Sequence, residues 1–262
     1  MPRLALVPRP SSASLSATAR LSQVRGFLSS PIRMNAVLEP SEDKIRVVSH
    51  RQYEASDTLT PSTVLPSPLD QFRHWFIEAQ SHVREPEIMS VSTATTSGIP
   101  SSRFVLLKEV DSRGFVFYTN YNSRKSRELD ENPHAALALY WPEMHRQVRA
   151  VGRVERLTKE ESEDYYRTRP LGSRIGAWAS PQSSVVEEGE LSKRFNEVRD
   201  GFGVKEDQLE ADIPLPDFWG GWRVIPFEVE FWAGKPSRLH DRVRYTRKLD
   251  SDAEWKIERI AP

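Results

Sequence analysis

Between Met89 and Arg156 the hydrophobic pattern runs with a period of two, and this constrains the fold more than any other feature of the chain. Candidate strands are Met89–Thr95, Arg103–Val110, Phe115–Asn120, Ala135–Trp141 and Gln147–Glu155. Turn-formers separate them: Ser97-Gly98, Asp111-Ser112-Arg113-Gly114 and Asn132-Pro133. Strands this short and closely spaced favour an antiparallel barrel over a layer of βαβ units.

Helical signals flank that region. Phe72, Trp75, Phe76, Ala79 and Val83 share one face of a helix expected from Leu69 to Val83. Thr158-Lys-Glu-Glu161 is a capping-box pattern that opens a helix to about Thr168. A further helix is expected over Glu187–Arg199, with Leu191, Phe195 and Val198 inward. The last third returns to strand at Trp222–Trp232, Val243–Arg247 and Trp255–Ile260. The sequence thus predicts a mainly β domain with flanking helices (α+β) over residues 69–262, approached by a flexible arm over residues 34–68.

Charge and composition exclude several classes. The 262 residues include no cysteine, which removes disulfides, thiolate metal sites and cysteine nucleophiles. The six histidines form no tight ligand pair, so no metal is expected. No apolar run approaches the roughly 18 residues of a membrane-spanning helix, and no membrane association is expected. Residues 1–33 hold five arginines, seven serines and no acid, the composition of a mitochondrial presequence. Met34 follows, and a second start there would give a cytoplasmic form. Without those five arginines the rest has 32 basic against 37 acidic residues, a net charge of −5 that argues against a nucleic-acid partner.

Basic residues gather at strand ends and turns: Arg103 and Lys108, then Arg124 and Lys125, then Arg238, His240 and Arg242. The apolar residues between Arg103 and Lys108 suit a buried strand. Ser123-Arg124-Lys125 follows a strand end and opens a short helix, a local arrangement that suits a phosphate. Tyr165, Arg169 and Ser173 follow a helix end and offer similar donors. Two anion sites in one domain suggest two small phosphorylated molecules.

Five runs, taken in order, carry a resemblance. They are Arg103-Phe-Val-Leu-Leu-Lys108, Phe117-Tyr-Thr-Asn-Tyr-Asn-Ser-Arg-Lys125, Arg146-Gln-Val148, Ser173-Arg-Ile-Gly-Ala-Trp178 and Arg238-Leu-His-Asp-Arg242. With the terminal Glu-Arg-Ile-Ala-Pro, they make the chain resemble the pyridoxine (pyridoxamine) 5′-phosphate oxidase family from about His50 to Pro262. The resemblance implies an antiparallel, Greek-key-type split β-barrel and a homodimer that binds FMN non-covalently at the subunit interface. It implies oxidation of pyridoxine 5′-phosphate and pyridoxamine 5′-phosphate to pyridoxal 5′-phosphate, with O2 as acceptor and H2O2 released.

Carried over residue by residue, the implied FMN set begins with Arg103, Phe104, Val105, Leu106, Leu107 and Lys108. It continues with Tyr118, Thr119, Arg124, Lys125 and Gln147, and ends with Gln182, Ser183, Trp232 and Arg242. Lys108, Tyr165, Arg169 and Ser173 would hold the substrate phosphate. Arg238 and His240 would stand near the pyridine ring as the catalytic pair, and Arg51 and Tyr53 belong to a segment that folds over bound substrate. The chain departs from the family pattern at His50, at Arg174 in place of glutamine, and at Ile260 in place of leucine. Two rival readings share some of these features: another split-barrel flavin or deazaflavin oxidoreductase, and a non-catalytic carrier of FMN or pyridoxal phosphate.

Overall fold

The computed structural model describes residues 52–56, 58–248 and 253–262, and every structural statement concerns these. The presequence-like segment, Met34 and Arg51 lie outside the described residues.

Helix α1 (Pro68–His82) forms where three local signals agree. The Ser67 side chain accepts from the Asp70 amide, Pro68 sits in the first turn where no partner for its nitrogen is needed, and Leu69, Phe72, Trp75 and Ala79 are buried at helical spacing. That face packs edge-on to the sheet's aromatic side chains: Phe72 lies 5.0 Å from Phe115 and Trp75 lies 5.2 Å from Phe231. Phe72 is wholly buried, and its truncation to alanine would cost about 3–5 kcal/mol.

The strands are β1 (Ile88–Ala94), β2 (Pro100–Leu106), β3 (Glu109–Val110), β4 (Phe115–Asn120), β5 (His134–Trp141), β6 (Arg146–Arg156), β7 (Trp219–Ala233), β8 (Asp241–Thr246) and β9 (Lys256–Arg259). They form one curled antiparallel sheet in the order β2-β1-β5-β6-β7-β4-β3, with β8 on β7 and β9 on β8. Five helices flank it: α1, α2 (Arg124–Glu131), α3 (Lys159–Arg167), α4 (Leu171–Ala179) and α5 (Glu190–Gly201).

Strand β7 organises the sheet. Residues 219–224 pair with β4 and residues 228–233 with β8, while β6 runs along the opposite edge. The β6–β7 register slips between Val151 and Gly152, leaving Phe227 as the extra residue beside Pro226. A bulge is where a strand tolerates proline and bends. Glycine is required opposite it, because a Cβ on Gly152 would stand 2.3 Å from the Ile225 carbonyl oxygen.

Most expected elements are present within one or two residues of their predicted ends, and the capping box is complete. The Glu161 amide donates to Thr158 Oγ1 at 3.1 Å, and the Thr158 amide donates to Glu161 Oε2 at 2.8 Å. Three expectations need correction. The strand expected over Arg103–Val110 breaks at Leu107-Lys108, where the Leu107 amide donates to Glu87 and the Lys108 amide to Val116, so the chain changes partners there. Within β2, Phe104 is 76% and Leu106 43% exposed on the outer face, so this strand is not buried. In α5 Leu191 is 46% exposed, and only Phe195 and Val198 of the expected trio pack, half-buried, against Leu171, Ile175, Val204 and Ile213.

Residues 52–56 and 58–67 form no helix or strand but are tied to the barrel. The Ala55 amide donates to the Gly234 carbonyl at 2.8 Å, the Leu59 amide donates to Asp241 at 3.3 Å, and Leu59 is buried.

Candidate functional site

The sequence-predicted residues gather in three places. The first is where β4 ends and α2 begins. Ser123 takes the N-cap position in an extended conformation, its side chain making no capping hydrogen bond, and Arg124 and Lys125 open the first turn. The loop after α4 comes back to meet them, with Ser183 in the left-handed region at φ 72°. Gln182 Oε1 accepts from Lys125 Nζ at 2.9 Å and from Thr119 Oγ1 at 2.8 Å, while the Arg124 amide donates to Ser183 Oγ at 3.2 Å.

Lys125 is buried, and its acceptors are the neutral oxygens of Thr119, Ser123 and Gln182. Burial, with Arg103 repelling it in addition, lowers its ammonium to about 8. Arg103 donates to Thr93 Oγ1 at 2.7 Å and to Ser101 Oγ at 2.5 Å, and lies 3.6 Å from Glu128. Glu128 is buried too. Burial alone would raise its carboxyl, but hydrogen bonds from Ser101, Thr93 and Arg124 outweigh that and hold it at about 2. Arg103 and Arg124 therefore share a single carboxylate that is already saturated with donors, and Lys125 beside them has none. The surplus positive charge, partly withdrawn from water, is what a phosphate dianion would neutralise.

The second cluster joins β4, α3, the α3–α4 link and the start of β7. Tyr118 stacks on Tyr165 at 4.0 Å and on Trp219 at 5.5 Å, and the Arg169 guanidinium lies 4.6 Å above the Trp219 ring. Arg169 has a buried Nη1 with no hydrogen-bond acceptor, and burial lowers its pKa. A desolvated guanidinium holding out an unused donor is incomplete without an anionic ligand. Ser173 stands in the first turn of α4, which the Tyr166 hydroxyl joins to α3 by donating to the Arg174 carbonyl at 2.9 Å. Lys108, which the resemblance adds to this set, lies where the chain changes strand partners. It is exposed at the β2–β3 break beside a groove of about 310 Å³ that Phe72, Phe76 and Ile77 also line, and no hydrogen bond or ion pair joins it to Tyr165 or Arg169 among the described residues.

The third cluster lies across β6, β7 and β8, where register places Gln147, Trp232 and Arg242 side by side. Arg242 donates to the Ala261 carbonyl at 2.8 Å and to buried Glu230 at 2.7 Å, and the Glu230 carboxylate raises its pKa. His240 packs 4.7 Å from Trp232, and its Nδ1 accepts from the Lys235 amide at 3.1 Å. Between them the short turn Pro236–Arg238 holds Ser237 and Arg238 at φ 58° and 60°, a costly conformation for non-glycine residues, with Arg238 exposed. Tyr53 covers this cluster, its ring 5.4 Å from His240 and 5.0 Å from Trp232.

Sequence reasoning did not single out Glu128, Tyr140 or His145. Glu128 reads as an ordinary helix-surface acid, yet it organises Arg103 and Arg124. Tyr140 was legible only as an aromatic residue on the outer phase of β5, where it is 48% exposed beside Gln147. His145 gives no sequence signal of its left-handed conformation at φ 53°.

Comparison with known proteins supplies the family. A family model described as pyridoxamine 5′-phosphate oxidase matches residues 77–199, and one described as the pyridoxine 5′-phosphate oxidase C-terminal dimerisation region matches residues 219–262. The pyridoxine/pyridoxamine 5′-phosphate oxidase of Salinibacter ruber is 50% identical over 81% of this chain and 97% of its own. Among solved structures, PhzG from Burkholderia lata 383, in complex with tetrahydrophenazine-1-carboxylic acid, is 31% identical with a TM-score of 0.71, over 80% of this chain and all of that one. A pyridoxamine 5′-phosphate oxidase-related, FMN-binding protein from Nostoc punctiforme shares the fold at a TM-score of 0.60 and 15% identity, over 75% of this chain and 98% of that one. On this identity and coverage, the split-barrel chain belongs to the pyridoxine/pyridoxamine 5′-phosphate oxidase family of oxidoreductases.

Proposed function

We propose that the protein is an FMN-dependent oxidase that converts pyridoxine 5′-phosphate and pyridoxamine 5′-phosphate to pyridoxal 5′-phosphate. One observation carries this reading: two separate cationic sites, around Lys125 and at Arg169, each hold buried nitrogen donors without an anionic partner of their own. That need matches one phosphate on the cofactor and one on the substrate.

Arg103, Arg124 and Lys125, with Thr119, Gln182 and Ser183, would hold the FMN phosphate, and the Phe104–Lys108 stretch and Tyr118 would complete that half of the site. Gln147, Trp232 and Arg242 would meet the flavin ring, where the glutamine amide can both donate and accept. The chemistry supplied by bound FMN is acceptance of hydride from substrate C4′, with reoxidation by O2 to release H2O2. Arg169, Tyr165 and Ser173, with Lys108, would bind the substrate phosphate. Arg238 and His240 would orient the pyridine ring, Arg238 holding negative charge at the reacting oxygen. Arg51 and Tyr53 would lie over the bound substrate. With pyridoxamine 5′-phosphate, water releases ammonia from the oxidised amine.

A homodimer is part of the same reading. It is supported by the description of the C-terminal match and by the exposed apolar side chains of Phe104 and Leu106 on the outer face of β2. The test is a product assay under air. Pyridoxal 5′-phosphate and H2O2 formed in equal amounts support the oxidase, whereas bound flavin without turnover would indicate a carrier. Turnover of a tricyclic carboxylic acid in preference to the B6 phosphates would indicate an activity suggested by the likeness to PhzG.

A further inference from the structure

Tyr53 occupies a fitted seat. Its ring meets Trp232 at 5.0 Å, His240 at 5.4 Å and His145 at 5.7 Å, each edge-on. The Tyr140 side chain, half-exposed on β5 opposite Gln147, lies close enough to interact with that of Tyr53. The floor of the seat is Gly234, where a Cβ would come 2.5 Å from the Tyr53 Cβ. On either side the backbone is fastened: the Ala55 amide donates to the Gly234 carbonyl, Lys235 Nζ donates to the Ala55 carbonyl at 2.7 Å, and the Gly234 amide donates to the His145 carbonyl at 2.8 Å.

We infer that Tyr140 and His145 are positioning residues that latch Tyr53 against His240 and so set how the 52–59 segment lies over the substrate. Tyr140 supplies a hydroxyl that fixes the tilt of the Tyr53 ring. His145, held left-handed by the turn after Pro142–Met144, supplies a further edge-on ring contact to Tyr53. Neither residue need touch substrate. The inference rests on the reading of Tyr53 as a substrate contact.

The test uses the FMN-loaded protein and two readouts, hydrogen exchange of the 52–59 segment and steady-state kinetics with pyridoxine 5′-phosphate. Tyr140→Phe removes one oxygen. His145→Asn removes the ring while keeping a residue type that tolerates the left-handed conformation. Each variant is expected to speed exchange at the Ala55 and Leu59 amides by about 3- to 10-fold, the size of one lost hydrogen bond or ring contact. Each should raise KM by a similar factor and leave kcat within about 2-fold. In a Tyr53→Phe background, Tyr140→Phe should add nothing further. Unchanged exchange in both variants, or full additivity with Tyr53→Phe, would overturn the latch. Faster exchange with unchanged KM would support the latch and overturn the assignment of Tyr53 to the substrate.

Discussion

The Lys125 ammonium donates to the Gln182 side-chain oxygen at 2.9 Å, fastening the first turn of α2 to the loop after α4 with a cation that has no carboxylate of its own. Burial, then Arg103, pulls its pKa down to about 8, whereas a bound phosphate would favour the charged form. FMN affinity should therefore fall as pH rises through about 8. Lys125→Met should weaken FMN binding by about 10- to 100-fold near pH 7 and flatten that dependence, as read by flavin fluorescence titration. Stability of the FMN-free protein carries the opposite sign. Between about 8 and the ordinary lysine value of 10.5 the unfolded chain binds more protons, so this group's destabilising effect is relieved as pH rises across that window. An FMN affinity independent of pH between 7 and 9 would contradict the assignment.

Glu128 predicts an acid-side effect. Its carboxyl lies at about 2 in the folded protein against 4.5 unperturbed, so its stabilisation is complete above 4.5 and is lost as pH falls from 4.5 to 2. The shift corresponds to a loss on the order of 3 kcal/mol. Thermal melts followed by circular dichroism should show this decline in the native protein and a flatter profile in Glu128→Gln, which starts lower at pH 7. Parallel profiles would mean that the cluster does not depend on the charge of Glu128.

Arg169 and Arg238 should separate kinetically. Arg169 offers a buried, unpaired Nη1, and a phosphate contact persists from ground state to transition state. Arg169→Ala is therefore expected to raise KM by about 10- to 100-fold with little change in kcat. Arg238, exposed on its strained turn, should when changed to alanine lower kcat by a similar factor with FMN content unchanged. Equal loss of FMN and turnover would move Arg238 to the cofactor set.

Much of this architecture is legible in the sequence because the signals are local. Phe72, Trp75 and Ala79 announce α1 by spacing, and Thr158 with Glu161 announces α3 by hydrogen-bonding chemistry. The break at Leu107-Lys108 was not legible, because alternation shows which face a residue takes but not which strand it pairs with. Helix α4 was not expected: Pro170, Gly172 and Gly176 are weak helix formers, although neither glycine is required by its surroundings. The residues proposed for the cofactor phosphate stood out because Ser123, Arg124 and Lys125 are contiguous. Tyr140 and His145 did not, because their meeting with Tyr53 depends on the β5–β6 register and on one left-handed residue.

The central claim is tested most directly by an anaerobic visible spectrum of the FMN-loaded protein before and after addition of pyridoxine 5′-phosphate. The account predicts that the flavin bands bleach with substrate and return on admission of air, with pyridoxal 5′-phosphate formed in step. Flavin bands that remain unchanged by substrate, or a protein that takes up no FMN, would contradict it.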